Sequence, residues 1–280
     1  MAETRDSDIT VRFWGVRGSI ACPGPDTVRY GGNTSCVEVS HAGRVFIFDA
    51  GTGLRALGES LLAKDGPVDA DLFFSHTHMD HVCGLPFFRP AFQPESRLRF
   101  WAGHLLPEHT LKGVLSEMMQ APLFPVPLDI LQAQIDYQDF PVGTTLTPMS
   151  DVTLRTAPLN HPNGATGYRF ECAGKAVAYL TDTEHKPHEL DKNVLMLADG
   201  VELMIYDCTY TDDEYPSHVH WGHSTWQQAV KLAKAARAKT LAIFHHDPGH
   251  DDAFMDKVAA EAHKVMPGSV VAREGMVLRI

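Results

Sequence analysis

The hydrophobic pattern opens with short apolar runs separated by turn residues, which predict β-strands at Ile9–Trp14, Ser35–Val39 and Val45–Phe48. Apolar residues then recur at helical spacing over Leu54–Leu62, and a further apolar run predicts a strand at Asp71–Ser75. The other predicted strands are Val152–Thr156, Gly167–Glu171, Ala176–Leu180, Leu203–Tyr206, Thr240–His245, Val270–Ala272 and Met276–Ile280. The other predicted helices are Pro107–Gln120, Ser224–Ala236 and Asp252–Val265. This alternation indicates a mixed α/β protein.

No repeat, low-complexity tract or Pro/Ser-rich linker divides the sequence, so we predict one domain over residues 9–280 after a flexible N-terminus at residues 1–8. The composition, 44% hydrophobic and 21% charged, is typical of a globular protein with a sizeable core. The sequence contains no run of about 18 apolar residues, so it predicts no membrane-spanning helix. Met1–Thr10 has no apolar stretch of the kind found in secretory signals. Five dispersed cysteines without a CxxC pair are typical of thiols in a reducing compartment, so we expect a cytoplasmic protein.

The net charge of −11 disfavours non-specific binding to polyanions, because a nucleic-acid-binding protein normally carries a basic footprint. A small substrate with one or two phosphates is compatible with this charge if the field at the site itself is positive. Bound metal ions can supply such a field.

Four metal-binding side chains follow the buried apolar strand that ends at Ser75: His76, His78, Asp80 and His81. Residues i and i+2 at an extended strand end point the same way, so His76 and His78 can hold one ion. Asp80 and His81 follow the turn and can face a second ion. The alternative is a histidine-rich surface turn in which Asp80 caps the next helix. The clustering after a hydrophobic strand favours the metal site, since buried ionisable groups without partners are costly.

This run resembles the HxHxDH signature of the metallo-β-lactamase superfamily, and the resemblance extends along most of the chain. It implies a four-layer αββα sandwich and two divalent metal ions. In that superfamily a third histidine, a bridging aspartate and a last histidine follow later strands, and His161, Asp182 and His245 stand at those places. The resemblance assigns one ion to His76, His78 and His161, the other to Asp80, His81 and His245, with Asp182 bridging. His246 is the alternative to His245 as the last metal ligand, and His245 is preferred because the strand ends there.

The resemblance also gives Asp49, in a strand-Asp-x-Gly turn, the role of supporting a ligand histidine, although a plain turn aspartate is an equal alternative. Metals held by mixed histidine and aspartate ligands lower the pKa of bound water, so the expected reaction is hydrolysis by a hydroxide that bridges the two ions. Zinc is the default for a histidine-rich site, and manganese and iron are compatible with the carboxylates. Flavodiiron relatives usually carry glutamate in place of His78, which argues against redox chemistry.

The segment Gly222–Thr225 resembles the GHST loop of the phosphodiesterase branch, which includes tRNase Z and cyclic-phosphate phosphodiesterases. The glycine-rich stretches at residues 15–19 and 30–36 resemble class II cyclic-nucleotide phosphodiesterase-like proteins. In this branch the loop histidine contacts the phosphoryl group or protonates the leaving oxygen, so His223 joins Asp80 as a catalytic candidate. The alternative is structural, because Ser224 and Gln227 form an S-x-x-Q capping box that opens a helix without involving His223.

Only 21 positions separate His161 from Asp182, which leaves no room for the tRNA-gripping arm of many tRNase Z enzymes. Together with the acidic charge, this predicts a small cyclic or linear phosphodiester as substrate and no tRNA partner. The N-terminal cysteine cluster of the cyclic-phosphate phosphodiesterase of phosphonate breakdown is missing, since only Cys22 lies nearby. Hydrolysis of an ester, thioester, lactone or β-lactam on the same metals, and a weakly catalytic metal- or nucleotide-binding sensor, are the alternatives.

Several other features of the sequence allow more than one interpretation. The loop histidines can line a substrate pocket or lie exposed without a fixed role; they are His185, His188, His218, His220 and His250. The aromatic-containing segment Leu85–Thr147 can form a wall over the site, a homodimer surface or part of the core, and packing is the preferred interpretation.

Overall fold

Residues 9–64 and 66–280 are described by the structure, a computed structural model. The flexible N-terminus expected at residues 1–8 lies outside these described residues, and the single domain expected over residues 9–280 stays a prediction. None of the helices in the described part of the chain is long and apolar enough to cross a membrane.

Two seven-stranded sheets form the centre of the described structure. The first contains β1 (Thr10–Gly15), β2 (Cys36–His41), β3 (Arg44–Phe48), β4 (Asp69–Phe74), β5 (Arg97–Ala102), β6 (Gln134–Asp139) and β14 (Val277–Arg279), in the order β14-β1-β2-β3-β4-β5-β6. The second contains β7 (Thr145–Met149), β8 (Val152–Leu159), β9 (Ala165–Cys172), β10 (Lys175–Leu180), β11 (Leu203–Asp207), β12 (Thr240–Phe244) and β13 (Ser269–Val271), in the order β13-β12-β11-β10-β9-β8-β7. Strands β3 to β6 are parallel to one another, as are β10 to β13.

The inner faces of the two sheets pack together through aromatic side chains. Phe46 of β3 contacts Phe170 of β9 with ring centroids 5.0 Å apart, and Phe48 contacts Tyr179 of β10 at 5.3 Å. Helices cover the outer faces: α1 (Gly53–Leu62), α2 (Met79–Val82), α3 (Leu111–Met118), α4 (Lys192–Ala198), α5 (Trp226–Ala235) and α6 (Asp252–Val265). Helices α1 and α3 bury their apolar faces against the first sheet, and α4 to α6 against the second. The predicted αββα sandwich is therefore confirmed.

The start of α5 differs from the prediction of an S-x-x-Q capping box at Ser224. The residue that caps this helix is Thr225, whose side-chain oxygen accepts a hydrogen bond from the backbone N–H of Gln228 at 3.1 Å. Ser224 is instead engaged by a distant residue, because its Oγ lies 2.9 Å from Nδ1 of His185. A tertiary contact thus withdraws Ser224 from the cap, and the helix begins later, at Trp226.

The segment Leu85–Thr147 contributes mainly to the first sheet and its covering layer, through β5, α3 and β6. Phe88 is fully buried in that layer. Phe87 is 56% exposed, and its ring centroid lies 6.1 Å from that of Phe124. The segment therefore supplies core residues together with an exposed aromatic surface.

Candidate metal centre and active site

The candidate ligands lie in loops that leave the ends of β4, β8, β10 and β12. In parallel sheets these ends meet at one edge, which is where functional side chains commonly lie. Three residues that follow strands, Asp49 after β3, Asp182 after β10 and His245 after β12, have positive φ angles of 62°, 55° and 63°. This left-handed conformation is uncommon for residues other than glycine and concentrates at functional sites.

His76, His78 and His161 form the first cluster, with one ligand atom from each within 4.8 Å of the others. Nδ1 of His78 lies 3.0 Å from Nε2 of His161. Nε2 of both His76 and His161 lies 3.8 Å from Oδ1 of Asp182. The three imidazoles thus surround a small volume that one oxygen of Asp182 also faces.

Asp80, His81 and His245 form the second cluster, on the other side of Asp182. Oδ2 of Asp182 lies 3.2 Å from Nε2 of His81 and 3.3 Å from Nε2 of His245. Oδ2 of Asp80 lies 3.2 Å and 3.4 Å from the same two nitrogens. One carboxylate oxygen of Asp182 therefore faces each cluster, which is the arrangement required of a bridging ligand.

The chemistry of these residues fits divalent metal ions. Nε2 of His76 is buried and has no hydrogen-bond partner among the described residues. Burial lowers the pKa of His76 well below its usual value, so the ring is neutral and able to bind a metal. His81 shows the opposite shift: burial alone would lower its pKa, but the carboxylates of Asp80, Asp182 and Asp49 outweigh it and raise the pKa well above the usual value. The negative charge that causes this shift would be balanced by bound cations.

Hydrogen bonds to the other ring nitrogens fix the orientation of several candidate ligands, as is common at metal sites. Nδ1 of His81 donates to Oδ2 of Asp49 at 2.8 Å. This is the contact that the supporting role of Asp49 requires, and the role itself stays a prediction. Nδ1 of His161 donates to the backbone oxygen of Gly222 at 2.9 Å. Nδ1 of His245 lies 3.1 Å from Oγ1 of Thr209.

Asp49 itself is held in place by a dense set of donors. Its carboxylate accepts hydrogen bonds from the backbone N–H and hydroxyl of Ser75 and from the hydroxyl of Tyr179, each at 2.7 Å. The carboxylate is buried, and these donors fix its position against the ring of His81.

The two adjacent histidines at the end of β12 make different contacts. Whereas His245 faces Asp182, Nε2 of His246 donates to the backbone oxygen of Ala272 at 2.8 Å. Burial lowers the pKa of His246 to about 3, so its ring is neutral and holds the chain after β13. Of the two histidines, only His245 lies within 4.8 Å of the other candidate ligands.

His223 lies beside both clusters. Its ring centroid is 5.3 Å from that of His161 and 5.0 Å from that of His245. Nδ1 of His223 donates to Oδ2 of Asp207 at 2.8 Å. Burial alone would lower the pKa of His223, but the Asp207 carboxylate outweighs it and raises the pKa to about 9. The ring is therefore protonated at neutral pH, with Nε2 available on the side away from Asp207.

Asp207 is a functional candidate that the sequence reasoning missed. It is the last residue of β11 and follows the apolar run Leu203–Tyr206, so a carboxylate at a buried strand end was the available signal. Glu184, also missed, accepts hydrogen bonds from the backbone N–H groups of His220 and Gly222, each at 2.9 Å. Glu184 thereby fixes the loop that carries His223.

The glycine-rich N-terminal stretch packs under the second cluster. Arg17 is fully buried and donates to the backbone oxygens of Gly31 and His250, each at 2.7 Å. A Cβ atom added to Gly18 would lie 2.4 Å from the ring of His245. The backbone N–H of Ser19 donates to Oδ2 of Asp80 at 2.8 Å. This stretch therefore supports two candidate ligands.

The remaining loop histidines are divided between packing and exposure. His185 contacts Ser224, and the ring of His218 stacks on Tyr210. Nε2 of His250 lies 2.8 Å from Oε1 of Glu214. His188 and His220 are exposed.

The sequence matches a family described as "Beta-lactamase superfamily domain" over residues 44–246. The chain belongs to the metallo-β-lactamase superfamily. Ribonuclease Z from Haloarcula marismortui is 25% identical to this superfamily member over 320 aligned positions, which cover 96% of each chain. The metallo-β-lactamase fold protein YhfI from Bacillus subtilis is similar in structure, with a TM-score of 0.73, 18% identity and coverage of 98% of this chain and 99% of that one. The short form of human tRNase Z has a TM-score of 0.69, with 18% identity and coverage of 96% and 98%.

These findings confirm the predicted superfamily and its phosphodiesterase branch, and this superfamily member is a metal-dependent hydrolase. The prediction that tRNA is not a partner is wrong, because the relative that aligns with 96% of the chain is a Ribonuclease Z. The prediction gave too much weight to the charge of the whole chain and to the length of one loop. A polyanion responds to the field at the site itself, which bound cations would make positive.

Proposed function

We propose that this protein is a dinuclear metal-dependent phosphodiesterase. The proposed ligands are His76, His78 and His161 for one ion and Asp80, His81 and His245 for the other, with Asp182 between them. The observation that carries the proposal is the position of His223, which lies against rings of both clusters and is held by Asp207. A protonated histidine there can also pair with the anionic phosphoryl group of a diester, whereas the carbonyl group of an ester or lactone is neutral before attack.

Two divalent cations held by these residues would supply an acidic water molecule and polarise a phosphoryl oxygen. The side chains of the protein provide orientation and proton transfer. Asp49 and the Gly222 carbonyl keep the rings of His81 and His161 in fixed orientations. Nδ1 of His223 is occupied by Asp207, so Nε2 is the nitrogen that donates a proton to the leaving oxygen. After donation, the Asp207 carboxylate favours return of the proton to the ring.

We propose zinc as the metal, on the basis of five histidines among the seven candidate ligands. A small cyclic or linear phosphodiester is the proposed substrate class, and RNA belongs in the same test because relatives carry the name Ribonuclease Z. We also propose that the protein acts in the cytoplasm. All five of its cysteines are free thiols, which supports a reducing compartment.

The test combines metal analysis with a substrate panel. The purified protein should contain about two metal ions per chain, and chelation should abolish hydrolysis until metal is restored. Cyclic and linear phosphodiesters and an RNA with a 3′ extension are compared with a β-lactam, a lactone and a thioester. The proposal predicts turnover of phosphodiesters alone, and preferential hydrolysis of the other three classes would overturn it.

The role of His223 is tested with leaving groups of different basicity. A diester that releases an alkoxide needs a proton donor, whereas one that releases p-nitrophenolate hardly does. His223→Ala should therefore lower kcat for the alkoxide substrate by about 10²- to 10⁴-fold and affect the nitrophenyl substrate far less. His188→Ala, which removes an exposed loop histidine, is the matched control. Equal losses on both substrates would contradict proton donation by His223.

A further inference from the structure

An exposed tryptophan lies beside the candidate active site and has no role in the proposed chemistry. Trp221 is 61% exposed and directly precedes Gly222, whose carbonyl holds the ligand histidine His161. Exposing a large aromatic ring to water is unfavourable, but single exposed apolar residues are normal on protein surfaces, so the exposure of Trp221 counts only together with its position. Its position next to the metal clusters favours contact with a bound ligand over a role in packing.

Trp221 continues a row of rings that begins at the proposed proton donor. The ring centroid of Tyr210 lies 6.1 Å from that of His223, and His218 stacks on Tyr210 at 4.2 Å with an interplanar angle of 20°. The edge of the row is formed by Trp221, whose centroid lies 5.0 Å from that of His218 at an angle of 85°. We call Tyr210, His218 and Trp221 the aromatic row. It leads from the reacting position to solvent over a few ring diameters.

The backbone on both sides of Trp221 is fixed. The N–H groups of His220 and Gly222 both donate to the Glu184 carboxylate, at 2.9 Å each, and the N–H of Trp221 donates to the His218 carbonyl at 3.1 Å. Nδ1 of His218 donates to the backbone oxygen of Glu214 at 2.9 Å, which orients that ring as well. A platform that is ordered before binding saves the entropy of ordering it during binding.

We propose that the aromatic row is a nucleobase-binding subsite, in which Trp221 stacks on a base of the substrate while the neighbouring phosphodiester lies at the metal clusters. The inference rests on the proposed phosphodiesterase function and narrows its substrates to nucleotides. Every base has a π-face, so stacking on an indole accepts different bases without reading their hydrogen-bonding edges. The base can belong to a small nucleotide diester or to the end of an RNA strand, since both present the same ring next to a phosphate.

Two substrates with the same leaving group isolate the contribution of the base. Thymidine 5′-(p-nitrophenyl phosphate) and methyl p-nitrophenyl phosphate both release p-nitrophenolate, and only the first carries a nucleoside. Trp221→Ala should raise KM for the thymidine substrate by roughly 5- to 150-fold, the range for loss of one base–aromatic stack. KM for the methyl substrate and kcat for both should change by less than about twofold, and Trp221→Phe should recover much of the loss. Met196→Ala, which removes another exposed apolar side chain on an outer helix, is the control.

A binding measurement separates this inference from the proposed function. Trp221 is one of four tryptophans, and thymidine 5′-monophosphate should quench fluorescence of the metal-loaded protein but not of Trp221→Phe. Competition by the mononucleotide and by a short single-stranded RNA shows which source of bases binds more tightly. Quenching without hydrolysis would overturn the phosphodiesterase and keep the subsite. Equal KM changes on both substrates, or a change only in oligomeric state on removal of Trp221, would overturn the subsite and keep the phosphodiesterase.

Discussion

Replacing Asp207 by asparagine tests whether the protein orients and charges His223 through a buried carboxylate. Asp207 is fully buried, and its carboxylate accepts hydrogen bonds from Nδ1 of His223 and Oγ1 of Thr209, each at 2.8 Å. It also accepts from the backbone N–H of Thr183 at 3.2 Å. Asparagine has nearly the same volume. It removes the charge and replaces one of the two acceptor oxygens by an NH2 donor.

The expected loss follows from one charge-assisted hydrogen bond. Such a bond contributes about 1.5–3 kcal/mol, which corresponds to a kcat lower by roughly 10- to 150-fold for a diester that releases an alkoxide. The pH profile gives the sign of the electrostatic effect. In the parent protein burial lowers the pKa of His223, and Asp207 outweighs it and raises the pKa to about 9. Because the protonated ring is the active form, activity falls as pH rises through this pKa. The variant loses the raising charge, so its fall should begin at lower pH.

The assay is kcat against pH for the parent, Asp207→Asn, His223→Ala and the double variant, each with an alkoxide-releasing and a p-nitrophenolate-releasing diester. If Asp207 acts only through His223, adding Asp207→Asn to His223→Ala should change kcat by less than about threefold. Thermal melts establish that each variant is folded. Additive losses, or a pH profile that does not move, would refute the reasoning.

Three further predictions concern the support of the metal centre. Asp49→Ala leaves the donors of Ser75, Tyr179 and His81 without their acceptor. It should lower the free energy of unfolding, measured by urea titration, by about 3–5 kcal/mol. Asp49→Asn should lower it less, and equal stability of the alanine variant and the parent protein would contradict this prediction. Gly222→Ala places a Cβ atom 2.3 Å from Nδ1 of His161 and should reduce bound metal, measured by mass spectrometry, whereas Gly174→Ala, also at positive φ but with nothing within 4 Å, should not. His245→Ala should lose about one metal ion per chain and His246→Ala none; the reverse result would exchange their roles.

The parts of the site that could be predicted from sequence are those whose signal is local. The residues from His76 to His81 follow one strand and one turn, so their spacing alone indicates a metal site. The first sheet was only partly predicted, because β5 and β6 were both missed. In β5 the arginines Arg97 and Arg99 alternate with apolar residues, and β6 lies at the edge of the sheet with residues that are exposed or half-buried. The sequence of β6 lacks the apolar run that distinguishes a central strand.

Contacts between distant residues account for what the sequence did not reveal. Asp207 and His223 are 16 positions apart, and only the folding of β11 against the loop before α5 brings their side chains together. Ser224 carries a valid capping pattern, yet a contact with His185, 39 positions away, competes for its hydroxyl. Local propensity is a weak prior where a buried polar partner is available.

The left-handed backbone of Asp49, Asp182 and His245 has a consequence for protein engineering. Each of these residues holds a conformation that glycine adopts without strain and that costs other residues of order 1–3 kcal/mol. Glycine at Asp182 or His245 would relieve this strain, but it would also remove a buried side chain and leave a cavity, which costs at least as much. The backbone strain of these two loops can therefore not be removed by glycine without losing both stability and a proposed metal ligand.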